Sequence, residues 1–488
     1  MQVTDPSSPS GLSETSSIEG LQAAWPVLQG SGKKVHVETW GCQMNVADSE
    51  QMLAMLKQQN YATAATIEDA DLIILNTCHI REKAVHKVVS RLGTLKALKK
   101  EKPTLQIAVS GCVPQMEHKR IAKSAPHVDI MFGPGQIQQL PKLLEDNRVS
   151  QKLSTAFGFK TATLPETQVI PGSLPVSSER PILDGKNTIS RFLNIAQGCD
   201  NFCTFCVVPF TRGREVSLSP ETLISEARSL LASGAKEIVL LGQNVNSYGL
   251  DLVRDGHLTV TTAGPFVELL RAMETLPGLE RLRFTTSNPH DFTEELAKHF
   301  LASKKLGRYL HLPVQSGSNE VLEAMKRKVT VEEYLNKIQL LRELMPDMAL
   351  STDLIVGFPG ETDEDFQQTL HLMEQVRFHF VYAFSYSPRR GTAAARFSQQ
   401  VPEEIKTQRL AALNATQARI SQQLHEEALG QEVEVLFHYP SPKELNVYHG
   451  RDPYFRLVKV ESARSLVGQK AQVRIVAASR TSLVAQLL

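Results

Sequence analysis

The chain is poor in cysteine, in aromatic residues and in net charge, and each shortage excludes something. Six cysteines among 488 residues cannot staple a disulfide scaffold, and 42% hydrophobic residues supply sizeable cores without one. Aromatics at 6% and charged residues at 22% are an ordinary globular balance, which excludes a chain that is polar and disordered throughout. Lys and Arg total 53 against 52 Asp and Glu, so a net charge of +1 excludes a uniformly basic coat for nucleic acid while leaving room for a local basic groove. The first thirty residues hold no Lys or Arg and three acids, Asp5, Glu14 and Glu19. They lack the basic start of a secretory signal and the arginines of an organellar transit peptide. No apolar run approaches the roughly 18 residues that a membrane span requires. These absences lead to the expectation of a cytoplasmic chain with no membrane partner and reduced thiols, preceded by a disordered extension over 1–32.

At about 150 residues per domain the length suggests roughly three domains. From Lys34 onward short β-branched runs alternate with amphipathic stretches. Strands are expected at 35–39, 72–76, 105–109 and 128–132. Helices are expected at 48–59, with Asp48 as N-cap, and at 82–98, 115–123 and 137–144. This alternation over 33–150 predicts a parallel sheet covered by helices. Prolines 165, 171, 175 and 181 in a polar setting then break the periodicity, and 151–184 reads as a linker. Six further strands, at 191–196, 237–241, 281–285, 309–314, 349–356 and 379–385, alternate with helices over 185–426. Six β/α units fall short of the eight of a closed barrel, so a partial (β/α)6 barrel is expected. A helical stretch over 403–429 stops at Gly430. Beyond it, alternation at 432–437, 455–460, 472–476 and 482–485 predicts a small antiparallel β-barrel over 427–488. Beyond Gly430 the chain carries eight Lys and Arg against five acids, so the neutral total conceals a basic module.

The few cysteines are not scattered. Cys199, Cys203 and Cys206 form a C-x3-C-x2-C run directly after the first strand of the second domain, on the face where β/α barrels hold their chemistry. Zinc prefers four ligands, usually as two C-x2-C pairs, and no second pair follows. Three thiolates suit a 4Fe–4S cluster with one iron free of protein ligands. Cys42, Cys78 and Cys112 each follow the carboxyl end of an expected strand, and in an open parallel sheet those ends share one crevice. Gly41 and Gly111 beside them permit tight backbone. Convergence of these three would again leave an iron open.

The C-x3-C-x2-C spacing, with Phe205 before the last Cys, resembles the radical S-adenosylmethionine (SAM) enzymes. Longer motifs extend the resemblance from about Val35 to the C-terminus. They include Gly41-Cys-Gln-Met-Asn45, Asn76-Thr-Cys-His-Ile-Arg-Glu82, Pro209-Phe-Thr-Arg-Gly-Arg214, Gly242-Gln-Asn-Val-Asn-Ser-Tyr248, Leu312-Pro-Val-Gln-Ser-Gly317 and Thr352 to Thr362. On these the chain resembles the methylthiotransferases, in the branch that acts on tRNA. The resemblance implies an N-terminal methylthiotransferase domain with an auxiliary cluster, a radical SAM barrel and a C-terminal TRAM domain that binds RNA. It implies two 4Fe–4S clusters, on Cys42, Cys78 and Cys112 and on Cys199, Cys203 and Cys206, with SAM used both as methyl donor and as radical source. The implied reaction methylthiolates C2 of N6-isopentenyladenosine next to the anticodon. The same chemistry on a threonylcarbamoyl-adenosine or on a ribosomal-protein aspartate, and a non-catalytic iron–sulfur or zinc RNA-binding protein, are the alternatives. Residues 450–455, Gly-Arg-Asp-Pro-Tyr-Phe, depart from the family's usual Gly-Arg-Thr pattern.

Around the expected barrel mouth, Phe205, Gln243, Asn244, Gln315 and Gly357 are candidates to bind SAM, Gly357 by letting the backbone approach the adenine. Arg212, Arg214, Arg389 and Arg390 are candidates to grip tRNA phosphates, a task for which Arg is suited. His79, His290 and His311 lie near this face, but with fourteen histidines in the chain none is assigned as a ligand. The expected partners are tRNA and an electron donor such as a flavodoxin or ferredoxin, acting on a monomer.

Overall fold

The computed structural model describes residues 32–79, 82–158, 189–259 and 261–488. The linker expected at 151–184 therefore lies largely outside the described residues, as does nearly all of the N-terminal extension.

The first unit is a six-stranded, wholly parallel sheet in the order β2-β1-β3-β4-β5-β6. Its strands are β1 (Lys34–Trp40), β2 (Ala62–Thr63), β3 (Leu72–Thr77), β4 (Gln106–Gly111), β5 (Ile130–Phe132) and β6 (Ser154–Ala156). Its helices are α1 (Gln43–Gln58), α2 (Glu82–Glu101), α3 (Cys112–Ser124) and α4 (Leu140–Ser150). β3 and β4 are buried along their whole length, which is why they read as continuous apolar runs rather than alternating ones. Val37, Ile74, Ala108 and Ile130 pack beneath Met52, Leu53 and Leu140 on one face. Ile73, Leu75, Ile107 and Val109 pack against Val85, Val88 and Leu92 on the other. Two helices begin earlier than expected. α1 starts immediately after Cys42, whose backbone N–H is held by the Asn45 carboxamide. Asp48 is therefore no N-cap but a buried residue inside the helix. α3 likewise opens on Cys112 rather than Gln115.

The second unit is the expected open barrel of six parallel strands. One arc is β7 (Ser190–Asn194), β10 (Glu237–Leu241) and β11 (Arg281–Phe284); the other is β12 (Tyr309–His311), β13 (Ala349–Val356) and β14 (Phe380–Ser385). The arcs meet at a single bridge, where Leu282 donates to Lys305 and Gly307 donates to Leu282. The first expected strand divides at Ile195, and β8 (Ala196–Gln197) turns away to pair antiparallel with β9 (Val216–Ser217). β12 stops three residues short of its expected end. Pro313 has no N–H to donate, Val314 donates to the Thr352 hydroxyl, and Gln315 adopts a φ of 84°.

A helix over Glu403–Glu426 runs along the barrel to a closed five-stranded barrel in the order β15-β16-β17-β19-β18. Its strands are β15 (Glu432–Pro440), β16 (Val447–Arg451), β17 (Leu457–Glu461), β18 (Lys470–Ala478) and β19 (Leu483–Leu487). Two corrections arise here. Closure uses one parallel pair, Val458 beside Leu483, so the barrel is not wholly antiparallel. β16 has no signal of its own in the sequence, because it needs Gly450 where a Cβ would sit 2.4 Å from the Val435 side chain. Among the described residues no helix is long and apolar enough to cross a membrane.

The small barrel seals the amino-terminal end of the large one. Phe455 stacks on Tyr309 with ring centroids 4.8 Å apart, and Arg283 lies 4.8 Å over the Phe455 ring. Arg281 and Arg283 donate to the Asp452 carbonyl, and Arg283 also pairs with Glu237 at 2.8 Å. The stretch that departs from the family pattern, 450–455, is therefore the plug of this junction. Burial alone would raise the Glu237 carboxyl, but Arg283, His438 and Arg281 hold it well below the ordinary carboxylate range. Glu237→Gln should cost about 3–5 kcal/mol, because it strands two buried guanidinium groups. The paired carboxyl titrates lower in the folded chain than in the unfolded one. The gap between wild type and variant should thus be full above the unfolded value of 4.5 and close as the pH falls further. Urea unfolding across a pH series measures it.

Candidate functional site: two cysteine triads across one interface

Cys42, Cys78 and Cys112 stand at the carboxyl ends of β1, β3 and β4, which are neighbours in the sheet. The backbone there leaves no room for side chains. A Cβ on Gly41 would lie 2.6 Å from the Cys78 Cβ, and one on Gly111, at φ 97°, would lie 2.2 Å from the Thr77 carbonyl oxygen. Buried amides fix the loops. Asn45 donates to Asn76 Oδ1 at 3.1 Å, and Asn76 donates to the Asn45 carbonyl at 2.8 Å and to Ser49 Oγ at 2.7 Å. The Cys78 thiol hydrogen-bonds the Cys42 sulfur and, against the cost of burial, helps bring Cys42 down to about 6; the Arg212 cation contributes. Burial pushes Cys112 up.

Cys199, Cys203 and Cys206 occupy the loop between β8 and the short helix α5 (Val208–Thr211). Gly198 permits the entry, since a Cβ there would sit 2.0 Å from the Arg214 carbonyl oxygen. Each sulfur faces a donor: Asn201 Nδ2 lies 3.6 Å from Cys199, Arg327 Nη1 3.6 Å from Cys203, and the Val208 N–H 3.5 Å from Cys206. Burial raises Cys199 and takes Cys206 to about 12. Threefold N–H···S donation is the environment in which iron–sulfur thiolates are found, so the residues fit a cluster. All six cysteines are free thiols. Among the described residues no three of His, Cys, Asp and Glu are placed as ligands of one lone metal ion.

The two triads face one interface. α5 and the residue after it leave the Cys199–Cys206 loop and enter the first unit, where Thr211 hydrogen-bonds Cys112. Arg212 Nη2 pairs with Asp48 Oδ2 at 2.7 Å, both side chains buried. Met44, two residues past Cys42, packs on Val239 and Leu241 of β10. Arg191 of β7 lies 3.4 Å from Glu50.

The sequence candidates fall into place unevenly. Phe205 joins an apolar wall of Val321, Met325, Phe358 and Tyr386. Gln243 is a brace: its Oε1 accepts from the Gly198 N–H at 2.5 Å and its Nε2 lies 3.0 Å from the Met44 sulfur. Asn244 donates to Asp291 at 2.7 Å while its Oδ1 is buried with no hydrogen-bond partner. Gln315 is buried at the strained bend after β12. At Gly357 the room its missing side chain leaves is filled by the Lys406 stem, where a Cβ would meet Cγ at 2.3 Å. Arg212 is corrected, because a buried guanidinium paired to Asp48 faces no RNA. Arg214 is exposed and pairs with Asp200 at 2.6 Å, Arg389 is half-buried and Arg390 is exposed. Sequence reasoning missed Arg327, which stands between Lys326 and Lys328 and reads as part of a solvated basic run. It also missed Glu215, which burial raises to about 7 and to which Ser247 donates at 2.6 Å.

Residues 34–133 match the model described as uncharacterized protein family UPF0004, and residues 193–373 match the radical SAM superfamily. The tRNA-2-methylthio-N(6)-dimethylallyladenosine synthase of Acetivibrio thermocellus is 41% identical over 94% of this chain and 92% of its own. The protein of the same name from Ruegeria pomeroyi is 43% identical over 93% and 99%. Among solved structures, the radical SAM methyltransferase TsrM from Kitasatospora setae, 15% identical, matches 72% of this chain and 67% of its own with a TM-score of 0.49. Likeness at this level over nearly the full length of the curated relatives means that the chain belongs to the tRNA-2-methylthio-N(6)-dimethylallyladenosine synthase family, within the radical SAM superfamily.

Proposed function

We propose that this chain methylthiolates C2 of N6-isopentenyladenosine beside the anticodon of tRNA. The observation that carries the reading is the meeting of two three-cysteine sets across one interface, Thr211 and Arg212 reaching from one into the other. With SAM, a 4Fe–4S cluster on Cys199, Cys203 and Cys206 supplies a carbon-centred radical able to remove hydrogen from an unreactive aromatic C–H, and a second on Cys42, Cys78 and Cys112 supplies sulfur, methylated by another SAM.

The chain's own residues set the conditions for that chemistry. Three thiolates per set leave one iron open for a small ligand. Asn201, Arg327 and the Val208 N–H stabilise negative charge on the sulfurs of the barrel set. Phe205 and its apolar neighbours keep water from the reacting region. Asn244 keeps a free buried oxygen at the barrel mouth, able to accept from a polar group of SAM. Arg214, Arg389 and Arg390 remain as candidates to hold tRNA phosphates, the small barrel adds basic surface, and electrons come from a flavodoxin- or ferredoxin-like donor to a monomer.

Mass spectrometry of nucleosides from tRNA made with and without this protein tests the reading. The 2-methylthio-isopentenyl nucleoside should depend on the protein, and its persistence without the protein would overturn the assignment. Cys199→Ala should abolish SAM cleavage, whereas Cys78→Ala should retain cleavage and lose sulfur insertion; loss of RNA affinity alone in both would defeat the division of labour. Replacing Arg389 and Arg390 with Ala should weaken tRNA binding and lower the slope of log affinity against log salt by about one for each phosphate no longer neutralised.

A further inference from the structure

Arg212 has one terminal nitrogen accounted for and one not. Nη2 is engaged by Asp48, while Nη1 is buried and has no hydrogen-bond partner. The side chain is only 4% exposed, so bulk water does not answer the need. A buried guanidinium N–H without an acceptor costs about 1–3 kcal/mol or more, and native folds rarely keep one unless something else accepts it. After Asp48, the groups whose charge this guanidinium senses most are Cys112 and Cys42. Asp48 itself comes from α1, one turn and a half beyond Cys42, so a single side chain from the barrel is held against the sulfur-bearing set of the first unit.

We propose that Arg212 is a positioning residue whose Nη1 donates a hydrogen bond to a thiolate sulfur at the open iron of the auxiliary cluster. The inference rests on the two-cluster reading above. The chemistry fits the donor, because a thiolate on a cluster is a soft anion that needs a fixed positive partner where water is absent. A planar guanidinium can hold Asp48 with one arm and point the other at that sulfur. Asp48 then acts as the anchor that keeps the second arm aimed, and Thr211, beside Cys112, is the last residue of the short helix that Arg212 follows.

The test uses the full chain with Cys199, Cys203 and Cys206 replaced by Ala, reconstituted with iron and sulfide and titrated with methanethiolate while the cluster spectrum is followed. About four irons per chain should remain. Arg212→Gln should keep them and weaken methanethiolate binding about tenfold or more. Arg212→Lys, which retains charge and a donor, should recover part of the loss. Asp48→Asn, which disturbs the anchor and leaves the donor, should weaken binding less than Arg212→Gln. Absence of the four irons would overturn the two-cluster reading and this inference with it. Retained irons with unchanged methanethiolate affinity in Arg212→Gln would overturn the inference alone. Equal losses in Asp48→Asn and Arg212→Gln, with no recovery in Arg212→Lys, would reduce Arg212 to a strut and overturn it as well.

Discussion

A charge taken out of water must meet its opposite where it stands, and the Asp48–Arg212 pair imposes that condition between the parallel-sheet unit and the open barrel. Neither partner could stay ionised and buried alone. Burial works against the guanidinium, yet Asp48 and the neighbouring thiols hold it firmly protonated. The pair therefore forces the helix after Cys42 onto the loop after Cys206. Everything at the site follows from that contact: Met44 settles on β10, and Gln243 ties Gly198 to the same seam. The triads are brought together by electrostatic necessity rather than by sequence proximity, since 164 residues separate the two partners.

The opposite end of the barrel solves a similar problem with a different set of residues. Glu237, Arg281 and Arg283 line its floor, and the small barrel covers them with Asp452, His438 and Phe455. Covering the floor removes water from charges that are already mutually neutralised, and Phe455 adds an aromatic face to two of the cations present, Arg283 and Arg451. The small barrel is thus part of the catalytic unit's structure as well as a basic module. Its orientation is set by residues 450–456, and the departure from the family pattern falls on that junction.

Much of this was legible from residues alone. Strand–helix alternation identified both parallel sheets, and the position of each cysteine just past a strand placed three of them on one sheet edge. What stayed hidden depended on partners distant in sequence. Asp48, preceding an apolar stretch, has every local mark of an N-cap, and only Arg212 reveals it as half of a buried pair. Arg212 in turn sits in an Arg-Gly-Arg stretch that suggests a grip on phosphate. At Gly357 nothing local announces the lysine stem that fills the space a side chain would take. Strand β16 was invisible because its glycine is demanded by a neighbour across the sheet. Local pattern reports periodicity and cannot report what a side chain meets.

The early starts of two helices have a consequence of their own. α1 begins directly after Cys42 and α3 begins on Cys112, so two helix amino-termini abut the same group of thiols. Each such end carries a partial positive charge of about half a unit. A second source of compensation for anionic sulfur is thereby written into the main chain. It has no pKa, cannot be removed by substituting a side chain, and persists at any pH at which the fold does.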